Sequence, residues 1–227
     1  YETMSVIRND EEIMIKRMQE KQSTIELVLG VTLTAGEYAL AKPLSVFLNK
    51  HPEMNMHIIY GNAEQLLAKL DNGEIHFALI EGYFPSHKYE QLLYYTDSFI
   101  CVCAKNHTFS QNVNHIEDLL NERILVRETG SGTRDLLDSY LKTYNLSYTD
   151  FKNHLEIESI SSIISLLKND CGISFLYRLS VEEELKNGSL KEIKIQNLPL
   201  HHDTTFLWNK NSVYSKQYKE ICKELIG

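Results

Sequence analysis

The sequence predicts an α/β protein built as two lobes joined by a hinge that the chain crosses twice. Three observations carry this expectation. From Thr24 onward, short apolar strand-like runs alternate with helical periodicity, the pattern of parallel strands covered by helices. A polar stretch at 105–112 interrupts the alternation. The closing strand and amphipathic helix have no obvious partner at the end of the second lobe, so they are expected to return to the first. Length agrees, because 227 residues hold two cores when compact domains run to ~100–200 residues. The expected division is a leading helix at 1–22, a first lobe at 23–104 plus 204–227, and a second lobe at 105–203.

Each element has a local reason. Met4, Ile7, Met14 and Met18 recur at steps of three and four once Glu11 fills one seam position. That spacing predicts a short amphipathic helix with a coiled-coil-like stripe, packed either on its own domain or on a second chain. In the first lobe, strands are expected at 25–31, 56–60, 76–80 and 98–104, with helices at 35–50, ended by Pro52, and at 63–71, stopped by Asn72-Gly73. The second lobe should carry helices at 116–121, 134–144 and 161–168 and strands at 123–127, 155–157, 172–176 and 190–195. A strand at 205–208 and a helix at 215–226 form the tail.

Charge and cysteine usage narrow the function. Lys and Arg total 23 against 31 Asp and Glu, a net charge of −8, so the summed field repels phosphate backbones and acidic membranes. The chain by itself is expected to bind DNA poorly. No signal-peptide pattern opens it and no run approaches the ~20 apolar residues of a membrane span, so it reads as soluble and cytoplasmic. Cys101, Cys103, Cys171 and Cys222 lack CxxC spacing and are expected to be buried, reduced thiols. No cofactor and no metal are expected, because no His, Cys and carboxylate cluster has ligand spacing; the adjacent His201 and His202 would point to opposite sides of an extended segment.

The strongest local feature is the stretch from Arg127 through Glu128, Thr129, Gly130, Ser131, Gly132 and Thr133 to Arg134. Glycines free the backbone to expose successive N–H groups where a helix begins, and the hydroxyls add donors, which suits a carboxylate, sulfate or phosphate. A plain N-capped turn needs the same residues. The stretch matches neither the GxxxxGK[ST] phosphate loop nor the GxSxG nucleophile elbow. A second polar turn, Thr32-Leu33-Thr34-Ala35-Gly36, follows the first strand, with Thr34 placed to cap the helix. Such turns lie at the carboxyl edge of a parallel sheet, where open α/β sheets bind ligands. Glu81 and Gly82 should share that edge, where the carboxylate either meets an effector amine or is a solvated loop acid. Glu156 and Glu158 read as a surface pair.

At this point the chain resembles the effector-binding domain of LysR-type transcriptional regulators over roughly 23–227. The resemblance rests on the runs 42–52 and 70–80, Ile116-Glu117-Asp118-Leu119, the 127–134 turn and Cys171-Gly172-Ile173-Ser174-Phe175-Leu176. It implies two Rossmann-like lobes of the type-2 periplasmic-binding-protein kind, no enzymatic activity, and a small, anionic effector in the interlobe cleft. The effector contacts would be Thr32, Thr34, Ala35, Glu81, Gly82, Thr129, Gly130, Ser131, Gly132 and Thr133. It also implies a homodimer, with either a dimer or a tetramer open to the full-length regulator, and DNA contact only through a winged helix-turn-helix preceding Tyr1. The leading helix would be the end of a linker helix. Two positions depart from the family pattern: His76 stands where an acidic residue is common, and Asp170-Cys171 precedes Gly172. A solute-binding protein of a transport system shares the expected fold and is the alternative.

Overall fold

The computed structural model describes Ile7, Asp10, Glu11, Met14 and residues 26–227. The remainder of the leading helix, Met4 and Met18 of its stripe included, lies outside the described residues. Asp10 is buried and accepts hydrogen bonds from Ser212 Oγ at 2.9 Å and the Val213 N–H at 2.8 Å.

The described chain forms two compact units, Tyr1–Tyr95 with Asp203–Gly227, and Thr96–His202. The chain passes between them inside β4 (Tyr89–Ala104) and again inside β9 (Leu200–Asn209). The expected strand at 98–104 thus begins nine residues earlier than the apolar run suggested, because the first part of β4 alternates exposed and half-buried residues.

Unit 1 is a sheet in the order β2 (Asn55–Gly61), β1 (Glu26–Thr32), β3 (Phe77–Glu81) and β9. The first three strands are parallel, but β9 runs antiparallel to β3, with Glu81 opposite Thr204, so the sheet is mixed rather than wholly parallel. Alternating strand residues face two helical layers. Leu27, Leu29, Val31, Phe77 and Leu79 pack with Phe47 of α1 (Ala41–Lys50) and with Tyr218, Ile221 and Leu225 of α6 (Ser215–Ile226). Ala78 and Ile80 pack instead with Leu66 and Leu70 of α2 (Ala63–Asp71). A π-helical stretch, Ala35–Leu40, runs directly into α1.

Local chemistry explains the helix ends. Asn62 caps α2 by accepting from the Gln65 N–H, and Gln65 returns the bond to the Asn62 N–H. His51 ends α1 and meets Glu224 of α6 at 2.8 Å. That hydrogen bond raises the His51 pKa above 6.5. A raised folded-state pKa stabilises the fold below the unfolded value, and the contribution fades as pH rises through the folded value. An NMR titration should therefore place the His51 midpoint above 6.5, and Glu224→Gln should lower it; an unchanged midpoint would discard the contact as its cause.

Unit 2 orders β4, β7 (Ile173–Tyr177), β5 (Arg123–Val126) and β6 (Asn153–Glu156), with β8 (Leu190–Ile193) also paired to β4. Strands β7, β5 and β6 are parallel, whereas β4 is antiparallel to β7 and β8. Phe99, Cys101, Ile124, Val126, Ile173 and Phe175 pack with Leu136, Leu137, Tyr140 and Leu141 of α3 (Gly132–Lys142). Helix α4 (Ile160–Lys168) buries Ile160, Ile163, Ile164 and Leu167, and α5 (Glu182–Asn187) ends on Gly188 in the left-handed conformation. The helix expected at 116–121 is a single 3₁₀ turn, Ile116–Leu119.

Cys101, Cys103 and Cys222 are buried free thiols, but Cys171 is only partly covered. Burial pushes the Cys103 thiol up to about 12, so it stays protonated at neutral pH.

Candidate functional site

In unit 1 the candidate groups collect at the carboxyl ends of β1 and β3. Parallel pairing sets Val31 beside Leu79, which brings the strand ends Thr32 and Glu81 to one edge. Thr32 Oγ1 donates to Glu81 Oε2 and lies 3.5 Å from the Leu79 carbonyl. Glu81 is 3% exposed, so it is a buried carboxylate and not a solvated loop acid. Gly82 follows with φ 124°, a left-handed geometry suited to glycine.

Thr34 does not cap the helix as its position in the sequence suggested. Helical geometry already includes Leu33, and Thr34 sits at φ −61° and ψ −52° without a side-chain cap bond. Its hydroxyl is buried and has no hydrogen-bond partner. The Ala35 methyl packs into the core beside Val31, leaving only its backbone for a ligand.

In unit 2 the turn after β5 leads into α3. Gly130 takes φ 87°, and Ser131 precedes the helix in extended geometry without making a side-chain cap bond. The helical ladder opens with the Asp135 N–H donating to the Ser131 carbonyl at 2.9 Å. The N–H groups of Gly132, Thr133 and Arg134 therefore point out of the helix end, where the dipole favours negative charge. Ser131 and Thr133 are buried, the Thr133 hydroxyl has no partner, and Thr129 is exposed.

The two arginines that frame this turn are already engaged. Arg127 is buried and donates Nε and an Nη to Glu128 at 2.8 and 3.0 Å. Arg134 donates to Asp138, Glu156 and the Arg127 carbonyl and stacks over the Tyr148 ring. Glu156 is thus an ion-pair partner as well as a surface acid. The attraction for an anion comes chiefly from amides and hydroxyls.

Sequence reasoning missed one clamp entirely. His107 meets Asp170 at 2.5 Å and Glu122 at 3.3 Å, and the Lys191 ammonium donates to its carbonyl at 2.7 Å. Its members are too far apart in sequence for a local pattern to reveal them. The departures from the family pattern also resolve: His76 Nδ1 accepts the Val28 N–H at 3.0 Å, an acceptor role a carboxylate also fills. Asp170 takes φ 56° ahead of Gly172, so the loop before β7 turns through two left-handed residues. His201 contacts Ser98 and His202 lies against Tyr177. Among the described residues no helix is long and apolar enough to cross a membrane.

The model for the family "LysR substrate binding domain" matches residues 20–225. A "Probable RuBisCO transcriptional regulator" of Gracilaria tenuistipitata var. liui is 25% identical over 204 residues, covering 88% of this chain and 66% of that protein. The chain spans about two thirds of the length of such relatives. Among solved structures, the regulatory domain of CcmR from Synechocystis PCC6803, in complex with 2-PG, superposes with a TM-score of 0.73 at 20% identity, over 87% of this chain and 95% of that one. The effector-binding domain of QuiR in complex with shikimate gives 0.72 at 20% identity, over 88% and 96%. These likenesses establish a mixed α/β fold of the type-2 periplasmic-binding-protein kind. With the family model covering nearly all of its length, the chain belongs to the LysR substrate-binding domain family.

Proposed function

We propose that this domain senses a small anionic metabolite and performs no chemistry on it. The observation that carries the reading is the start of α3, where three outward N–H groups and the buried, unpartnered Thr133 hydroxyl fall within one turn that no side chain caps. A carboxylate or phosphate satisfies such donors directly. Thr129, Gly130, Ser131, Gly132 and Thr133 would receive the acid group, and Thr32, Thr34, the Ala35 backbone, Glu81 and Gly82 would add the polar groups of unit 1.

In the whole regulator, effector binding would alter transcription through differential affinity for two conformational states. DNA contact would belong to a segment outside this acidic chain, in a cytoplasmic homodimer. The relatives are transcriptional regulators, which favours this reading over a solute carrier.

Calorimetric titration with a panel of small carboxylates and phosphorylated acids tests the site. The double variant Ser131→Ala with Thr133→Ala should bind on the order of tenfold more weakly, since each lost donor contributes ~0.5–1.5 kcal/mol or more to a charged ligand. Melting curves check that the variant remains folded. Unchanged affinity in a folded double variant would remove the site from this turn.

A further inference from the structure

We infer that Arg134 is the positioning residue of the anion-binding turn: its guanidinium does not touch the acid but holds the stretch 127–134 in the shape that presents the Gly132 and Thr133 amides. The inference rests on the acid-binding role proposed above for that turn, and every contact it uses lies within unit 2.

Arg134 is the third residue of α3, and its side chain is buried rather than solvated, at 5% exposure. Nη1 donates to the Arg127 carbonyl at 2.8 Å, seven residues earlier, which closes 127–134 into a ring. Arg127 is the first residue past β5, so this bond ties the point where the chain leaves the sheet to the point where it enters the helix. The Ser131 N–H also bridges the turn, to the Glu128 carbonyl, but at 3.3 Å. Gly130, at φ 87°, and Gly132 give the stretch more freedom to lose on ordering than other residues would, and a clasp from outside the turn offsets that cost.

The clasp is itself held from three sides. Nε donates to Asp138, one helical turn on, at 2.9 Å, and Nη1 also donates to Glu156, the last residue of β6, at 3.2 Å. The guanidinium carbon lies 3.9 Å from the centre of the Tyr148 ring, whose edge-on contact with His154 ties it to the same strand. A planar, rigid fork serves these partners together, whereas a lysine ammonium is a single point on a flexible stem. Two carboxylates offset the charge of Arg134, so what it supplies to the turn is orientation. Donor amides fixed in place before the acid arrives spare the ordering cost at binding.

Acetate titrated into the whole 227-residue chain and followed by NMR tests the role, with backbone relaxation of the ligand-free turn measured alongside. Arg134→Lys keeps the positive charge but should weaken acetate binding, read at the Gly132 and Thr133 amides, on the order of tenfold. It should also lower the order of Gly130 and Ser131 before any acetate is added. Tyr148→Leu removes the stacked ring without changing charge, should weaken acetate a few-fold, and carries the test if the Arg134 variant does not fold. In the wild type the Arg134 Nε–H resonance should stay in place as acetate saturates the turn. A shift there as large as that of the Gly132 amide would make Arg134 a direct contact and overturn the inference. So would folded variants that melt earlier yet keep wild-type affinity and turn relaxation, since Arg134 would then serve stability alone. If acetate leaves Gly132 and Thr133 unmoved in the wild type, the acid reading of the turn falls; lower order of the ligand-free turn in the variants would still support the positioning role, and unchanged order would overturn it.

Discussion

Replacing Gly132 with proline is expected to cost on the order of ten- to a hundredfold in affinity for a small acid while leaving α3 folded. Proline at the first helical position removes an N–H that the helix itself does not use, and its fixed φ suits that position. The preceding residue tolerates it, because Ser131 sits at φ −79° and ψ 132°, within the extended region that a following proline requires. The expected loss is that of one N–H donor to a charged acceptor, ~1.5–3 kcal/mol. Gly132→Ala keeps the N–H and adds only a methyl, so the difference between the two variants isolates the donor from the added bulk. Calorimetry and circular dichroism measure both sides. Equal affinity of the proline and alanine variants would show that the acid does not use this amide.

Gly172→Ala should destabilise unit 2 by about 3 kcal/mol or more, as strained backbone and overpacking add. Gly172 adopts φ +142°, and a Cβ built there would lie 2.2 Å from the Arg123 carbonyl oxygen. That oxygen belongs to β5, which pairs with β7 through Ile124 beside Ile173, so relief requires prising apart two central strands. Gly61→Ala is the matched control: its Cβ would meet only side-chain atoms of Gln65 and Leu66, at 3.2 Å and beyond, and should cost little. Denaturant unfolding of both variants provides the comparison. A Gly172→Ala midpoint equal to that of the control would refute the steric account.

The helices were legible where local chemistry defines them. The α2 stretch, Ala63–Asp71, follows from its helical spacing and the Asn72-Gly73 stop, and the structure adds the Asn62 and Gln65 cap at its start. Helix α6, Ser215–Ile226, follows from its amphipathic repeat. The beginning of β4 was not legible, because Tyr89 to Ser98 lacks the continuous apolar run of a central strand and is held by pairing partners far away in the chain. Thr34 was misjudged for a related reason. The helix starts earlier and passes through a π-helical stretch, which moves the threonine from cap to first turn.

By itself the sequence determined the alternation of strands and helices, the two polar helix-starting turns and the absence of an overall charge suited to nucleic acid. Those properties depend on residue spacing along a few turns or pleats, and on a sum over side chains. Only the tertiary structure decided which polar groups are partnered. Glu81 becomes a buried acceptor because Thr32, 49 residues earlier, is brought beside it by parallel pairing of β1 and β3. Thr34 and Thr133 become unpartnered hydroxyls because packing buries them without supplying another group. Burial and partnership are properties of contacts between distant segments, and no local spacing encodes them.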